Sequence, residues 1–214
     1  MKIELHQFIP MPLAETKHGG SSIWRQNDLY VNSKPISLVI SESGRGKSSL
    51  ISSIYGIRKD YLGSILLDSE NISNFSVGKW SEIRQKEISI VFQSLDLFPE
   101  ISAFENIQLK NQLQNYKTEA EINTMLENLG MISFSKQSAG SLSFGQQQRI
   151  AIIRALCQPF STLLLDEPFS HLDDNNIQIA WNMIQEESQK QQADIIITGL
   201  STNDLIQADQ IFYL

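Results

Sequence analysis

Residues 41–49 read Ser-Glu-Ser-Gly-Arg-Gly-Lys-Ser-Ser and follow directly on the apolar run Ile36-Ser37-Leu38-Val39-Ile40. A strand that delivers the chain to a glycine-bearing loop, with a helix starting beyond it, lines up backbone N–H groups into a nest for phosphate oxygens. The pattern is that of a P-loop, G-x-x-x-x-G-K-[ST], with Ser41 where the first glycine stands. Ser41, Glu42, Ser43, Gly44, Arg45, Gly46, Lys47, Ser48 and Ser49 are therefore the candidate nucleotide contacts. Gly44 and Gly46 let the backbone approach a ligand without a Cβ in the way. Lys47 can set a point charge on the outer phosphates, and the Ser48 hydroxyl can ligate Mg²⁺. A lone Gly-Lys-Ser occurs by chance in many chains. Here the strand before it and the apolar Leu50, Ile51 and Ile54 after it supply the required context.

A second candidate is Leu163-Leu164-Leu165-Asp166-Glu167-Pro168, an apolar strand that ends in two acids. Alone it reads as a turn. Beside a P-loop it reads differently, because open parallel sheets gather their active groups at the carboxyl ends of strands. Asp166 then lies near the Mg²⁺ held by Ser48, and Glu167 is free to direct a water, as phosphoryl transfer requires. A third candidate is Leu142-Ser143-Phe144-Gly145-Gln146-Gln147-Gln148-Arg149, where a small residue and a glycine precede a helix and make another anion site. One chain has little use for two phosphate nests around one nucleotide. Two chains facing head to tail would use both.

Elements must hold these residues in place. Strand-like runs at residues 2–5, 29–31, 36–40, 64–67, 88–92, 162–165, 194–198 and 210–213 alternate with helical stretches, which predicts an α/β fold. Several runs are almost wholly apolar, as in strands covered on both faces. Pro10, Pro12 and Gly19-Gly20 mark early loops. From about 103 to 129 only helix signals occur: Ile122, Met125, Leu126 and Leu129 form a stripe, and Gly130 suits the helix end. A second helix is expected from near Gln146, and another after an N-cap cluster at Asp173-Asp174-Asn175. Ile177, Ala180, Trp181 and Ile184 form its core side, and the polar run 185–192 reads as a solvated helix end. The expectation is a single domain over 1–214, with a core of about 1–93 and 146–214 and a helical subdomain of about 94–145.

Of the 214 residues, 41% are hydrophobic and 19% charged, which is enough for a packed core. The net charge of -7 argues against a broad basic surface for nucleic acid. The lone cysteine, Cys157, excludes an intramolecular disulfide and reads as a small core residue. The first ten residues do not form a signal peptide, and no apolar run approaches the ~20 residues of a membrane span. A soluble, cytoplasmic chain is expected.

The order of motifs resembles the ATP-binding subunits of ABC (ATP-binding cassette) transporters, from about residue 23 to the C-terminus. The P-loop is followed by Val91-Phe92-Gln93, similar to the Q-loop, and by Leu142–Gln146, similar to the L-S-G-G-Q signature. Asp166-Glu167-Pro168 and then Ser170-His171-Leu172-Asp173, similar to the D-loop, complete the order. Phe98-Pro99 and Glu105-Asn106-Ile107 also resemble the stretch after the Q-loop. The resemblance implies a P-loop NTPase core with a mostly parallel sheet, an N-terminal antiparallel β portion and a helical insert. It implies ATP and Mg²⁺ as ligands, with Ser48, Gln93 and Asp166 converging on the metal and Lys47, Gln93 and Glu167 serving hydrolysis. Ser143, Phe144, Gly145 and Gln146 would meet the nucleotide of an opposing subunit, identical or not, and Asp173 would couple the two sites. Residues 94–103 would meet an integral-membrane permease, placing the chain at the inner face of the membrane.

Three departures from the family pattern stand out. Ser41 is harmless at negative φ and costs ~1 kcal/mol or more at positive φ. Phe144 replaces a signature glycine and is tolerable if its ring turns away from the nucleotide. Gly199 follows the strand at 194–198 where the family carries a switch histidine, and none of His6, His18 or His171 matches that position. Loss of such a group commonly costs ~10²–10³ in rate, unless Ser201, Thr202 or Asn203 substitutes. An adenine-stacking ring is not assigned among Trp24, His18 and Phe8. The leading expectation is an ATPase that drives a permease through ATP-dependent dimerisation. The alternatives are a hydrolysis-impaired regulatory subunit, a soluble ABC ATPase of DNA repair or translation, and a P-loop small-molecule kinase. The repair and translation reading lacks a coiled-coil insertion or a second cassette, and the kinase reading leaves 142–146 unexplained.

Overall fold

Leu163 and Leu165 turn to one side of their strand and Leu164 to the other, yet all three are fully buried. A run can be apolar throughout only when both sheet faces are covered. The computed structural model, which describes residues 1–15, 21–202 and 204–214, builds this arrangement from five parallel strands. They are β3 (Ile36–Ile40), β6 (Ile88–Val91), β7 (Thr162–Asp166), β8 (Asp194–Gly199) and β9 (Gln210–Tyr213), in the order β6-β7-β8-β3-β9. A second, antiparallel sheet has the order β2-β1-β4-β5, from β1 (Ile3–Pro10), β2 (Leu29–Tyr30), β4 (Tyr61–Leu67) and β5 (Glu70–Asn71).

The two faces of the parallel sheet carry separate cores. Leu38, Val91, Leu163, Leu165, Ile195 and Ile197 pack with helices α3 (Ala103–Asn111), α4 (Glu119–Asn128), α5 (Phe144–Leu156) and α6 (Asp174–Gln191). Val39, Ile90, Leu164 and Ile196 pack with α1 (Lys47–Ile54), α2 (Val77–Lys86) and the antiparallel sheet. Between β6 and β7 the described chain is helical, with short 3₁₀ turns. Ser102 with Glu105 and Thr118 with Glu121 form capping boxes that start α3 and α4, each satisfying two orphan helix donors. The stripe Ile122, Met125, Leu126 and Leu129 is buried, and Gly130 takes φ +64 just past α4.

Four local expectations require correction. β1 runs on through Pro10 rather than ending at Leu5, because Pro10 sits at the strand's last position, opposite Tyr61. α2 and the two-residue β5 were not expected from the sequence. α5 begins at Phe144, with Ser143 as its N-cap, two residues earlier than expected. The polar run 185–192 is not simply solvated: Glu187 and Ser188 are buried, and Glu187 accepts hydrogen bonds from Lys117 Nζ at 2.7 Å and Tyr116 Oη at 2.7 Å. Cys157 is buried at the end of α5, and burial pushes its thiol up to about 12.

Candidate nucleotide site

The loop from β3 to α1 turns through Gly44 at φ +79 and Gly46 at φ +99. A Cβ on Gly46 would lie 2.6 Å from Leu13 Cδ1 and 3.0 Å from Trp24 Cζ2, so this position takes glycine on both conformational and steric grounds. Ser41 is absent from the positive-φ residues, so the serine in place of the first glycine carries no backbone strain. Lys47 lies on the first turn of α1 with its side chain 4% exposed. Its ammonium donates to Ser41 O at 2.6 Å and Glu42 O at 3.1 Å, and pairs with Glu167 Oε1 at 3.2 Å. The cation is thus held inside the loop and aimed at the end of β7.

The acids come from neighbouring strands. The β7–β8 register sets Asp166 opposite Thr198, and Thr198 Oγ1 donates to Asp166 Oδ1 at 2.7 Å while accepting from Glu167 N at 3.0 Å. Burial raises the Asp166 carboxyl above its ordinary value, and hydrogen bonds from Ser48 and Thr198 oppose the shift. Glu167 holds φ +48, an uncommon conformation for a side chain with Cβ, and its carbonyl accepts from Gln148 Nε2 at 3.3 Å. Gln93, two residues past β6, accepts from Ser48 Oγ at 3.3 Å. Ser48, Gln93 and Asp166 therefore converge.

These three are hard oxygen donors, which suits Mg²⁺ bound partly by protein and partly by phosphate. Among the described residues no cluster of three His, Cys, Asp or Glu side chains could hold a metal alone. The cleft above the loop measures about 220 Å³ and includes Ser43, Lys47, Ser48, Gln93 and Glu167. Sequence reasoning missed four of its walls: Pro10, Pro12, Leu13 and Arg58. Arg58 is held by both Asp60 oxygens at 2.7 and 2.8 Å and donates from Nη1 to Ser49 Oγ at 2.7 Å. Its only sequence signal was the Arg-x-Asp spacing. A larger cleft of about 500 Å³ between α4 and α6 has no strand end and no backbone nest.

The family model described as ABC transporter matches residues 25–170. The chain belongs to this family, as an ATP-binding cassette. The glycine betaine transport ATP-binding protein OpuAA of Bacillus subtilis is 35% identical over 161 residues, which cover 73% of this chain and 38% of the relative. The spermidine/putrescine import ATP-binding protein PotA of Haemophilus ducreyi is 33% identical over 175 residues, covering 80% of this chain and 46% of the relative. The chain thus spans less than half the length of these two relatives. The ABC transporter ATP-binding protein YtrE of B. subtilis is 28% identical over 172 residues, 79% of this chain and 74% of its own. The fold is that of MJ0796, a bacterial ABC transporter cassette solved as a dimer: the TM-score is 0.78 at 22% identity, over 99% of this chain and 94% of that one.

The cassette's other motifs are local structures of their own. Ser143 Oγ accepts from Gln146 N at 3.3 Å and Gln146 Oε1 accepts from Ser143 N at 2.9 Å, a capping box that opens α5. Phe144 turns its ring onto His171, with centroids 4.2 Å apart. Asp173 caps α6 by accepting from Asn176 N at 2.8 Å, and these bonds hold its carboxyl below the usual range. Beyond Gln93, Arg154 donates to Leu95 O at 2.6 Å and Asp96 O at 2.7 Å, and Asn106 pins both backbone groups of Phe98. Phe98 itself is exposed.

Gly199 ends β8, and Ser201 and Thr202 after it are exposed. Trp24 and Phe8 are buried against each other at 5.7 Å, so neither offers a free face for adenine. His18 and Asn203 lie outside the described residues.

Proposed function

We propose that the cassette binds MgATP, hydrolyses it and drives transport through a separate integral-membrane permease. The observation that carries this reading is the meeting of Lys47, Ser48, Gln93, Asp166 and Glu167 over a backbone nest at the carboxyl ends of β3, β6 and β7. Residues 41–49 wrap the phosphates, and Lys47 exchanges Glu167 and carbonyl partners for the outer phosphate oxygens. Ser48, Gln93 and Asp166 hold Mg²⁺, which when bound neutralises charge that develops on the phosphates. Glu167, released from Lys47, accepts a hydrogen bond from the attacking water and directs it in line. Ser143, Gly145 and Gln146 close the nucleotide site of a second subunit, so ATP holds two cassettes head to tail and hydrolysis lets them part. The helical segment 94–145 carries that motion to the permease through residues 94–103. No described helix is long and apolar enough to cross a membrane, which fits attachment through the permease at its inner face.

Gly199 favours a second reading, in which the subunit clamps on ATP and turns it over little. Steady-state phosphate release by the purified protein separates the two readings, with Glu167→Gln as reference. A fall of about 10² or more in Glu167→Gln supports hydrolysis, and no difference supports the clamp. Lys47→Ala tests the shared premise. MgATP affinity equal to that of the unaltered chain would overturn both.

A further inference from the structure

The surface that faces a second subunit contains a histidine to which neither the motif nor the capping network gives a task. His171 is exposed, and its ring rests on Phe144 at the first position of α5. The loop that carries it presses against that helix, since a Cβ on Gly145 would come within 2.8 Å of His171 O. Gly145, one of the proposed contacts to the opposing nucleotide, is therefore its immediate neighbour, and Ser143 directly precedes the Phe144 on which its ring rests.

The imidazole is also oriented. Gln148 is buried, and its Oε1 accepts from His171 N at 3.1 Å, which fixes the direction of its amide. Its Nε2 then faces Ser170 Oγ at 3.4 Å and Glu167 O at 3.3 Å. Ser170 Oγ lies 2.9 Å from His171 Nδ1, a contact in which either group can donate. With Ser170 as the donor, the neutral imidazole carries its own proton at Nε2, and this is the tautomer the proposal uses. One buried amide thus holds the carbonyl of Glu167, the backbone N–H of His171 and the Ser170 hydroxyl that the imidazole contacts.

We propose that His171, seated on Phe144 and aligned by Ser170 and Gln148, donates from Nε2–H to the outer phosphate of the nucleotide held in the P-loop of a second subunit. It supplies in trans a donor that Gly199 cannot supply in cis. Phe144, where the family carries glycine, serves as its platform. The inference rests on the head-to-tail pairing proposed above.

The test uses the full chain with Glu167→Gln, which on the proposed function leaves bound ATP unhydrolysed, and follows ATP-driven dimerisation by sedimentation. Adding His171→Ala raises the ATP concentration at half-dimerisation by about tenfold, the scale of one lost charge-assisted hydrogen bond. His171→Gln, which keeps an N–H donor, stays within about threefold of the parent. ATP affinity of the dilute monomer is unchanged in both, because the contact is made only across the dimer. Mixing then assigns the contact to cis or trans. A heterodimer of a Lys47→Ala chain with a His171→Ala chain leaves its one competent P-loop facing a partner's His171, whereas a heterodimer of the Lys47→Ala/His171→Ala chain with the parent leaves it facing alanine, so a trans contact makes the first heterodimer the tighter and a cis contact reverses the order. If Glu167→Gln with ATP gives no dimer, the pairing fails and His171 falls with it. If the dimer forms and His171→Ala leaves half-dimerisation unchanged, or the first heterodimer is no tighter than the second, only the assignment of His171 is overturned.

Discussion

Replacing Thr198 by valine keeps the shape and strand preference of the side chain and exchanges the hydroxyl for a methyl. Thr198 is 2% exposed, and its hydroxyl joins two site residues, donating to Asp166 Oδ1 at 2.7 Å and accepting from Glu167 N at 3.0 Å. A hydrogen bond to a charged acceptor is worth about 1.5–3 kcal/mol, and an orphaned backbone N–H costs about 1–3 kcal/mol. Glu167 is only part-buried, so water relieves some of the second loss. The added methyl returns about 0.8 kcal/mol. The net expectation is a destabilisation of about 2–3 kcal/mol, read as a shift of about 1 M in the urea midpoint at constant slope. Because the same bond holds Glu167 at φ +48, turnover should fall about tenfold or more, beyond any loss of folded protein. Thr198→Ser, which retains the hydroxyl, should lose less than half as much stability. A Thr198→Val protein within about 0.5 kcal/mol of the parent would refute the argument that this hydroxyl organises the two acids.

Gly46→Ala should raise the Kd for MgATP at least tenfold by titration calorimetry, because Cβ meets Leu13 and Trp24 at an unfavourable φ. Lys117→Met, which leaves the buried Glu187 carboxylate without its cation, should cost about 3–5 kcal/mol in chemical denaturation, and adding Glu187→Gln should recover part of the loss. Burial, with Arg154 and Arg84 nearby, lowers the Lys110 ammonium from 10.5 to about 8. The unfolded chain then binds that proton more tightly, so stability rises with pH between about 8 and 10.5, and Lys110→Met should flatten the rise in pH-dependent urea titrations. Gly199→His should increase steady-state phosphate release at saturating ATP by about tenfold or more.

The parts of the fold that were legible in the sequence are those whose causes are local. Apolar runs gave β3, β6, β7 and β8, because both-face burial writes itself into consecutive letters. The P-loop and the Asp166-Glu167 pair were legible because backbone nests and strand ends recur at fixed spacing. α2 was not, since Val77 is almost fully exposed and only Trp80 and Ile83 are buried along it, too sparse a stripe to register. Glu187 failed for a different reason: its burial depends on Lys117, 70 residues away, and an isolated polar run cannot announce a distant partner. The walls at Pro10, Pro12 and Leu13 are likewise brought to the nucleotide cleft by pairing of the antiparallel sheet, not by their spacing to the P-loop.

The three departures from the family pattern are not equivalent once backbone conformation is considered. Glycine is kept where φ is positive, at Gly44 and Gly46, and relaxed at Ser41, where φ is not. Ser41 still performs the loop's backbone tasks: its carbonyl accepts a hydrogen bond from Lys47 Nζ at 2.6 Å, and its N–H donates to Gly199 O at 3.3 Å. At Gly199 the logic reverses. A Cβ there would lie 3.3 Å from Ser201 O and 3.8 Å from Leu38 Cδ1, and no positive φ demands glycine. Neither backbone conformation nor a prohibitive clash accounts for the missing side chain, so the change falls on the chemistry beside Glu167 rather than on the fold. Phe144 belongs with Gly199 rather than with Ser41. Its ring adds a contact to His171 on the face where a second nucleotide would sit. On the proposed head-to-tail pairing, one change removes a donor and the other builds a seat for one, so the two belong to a single explanation.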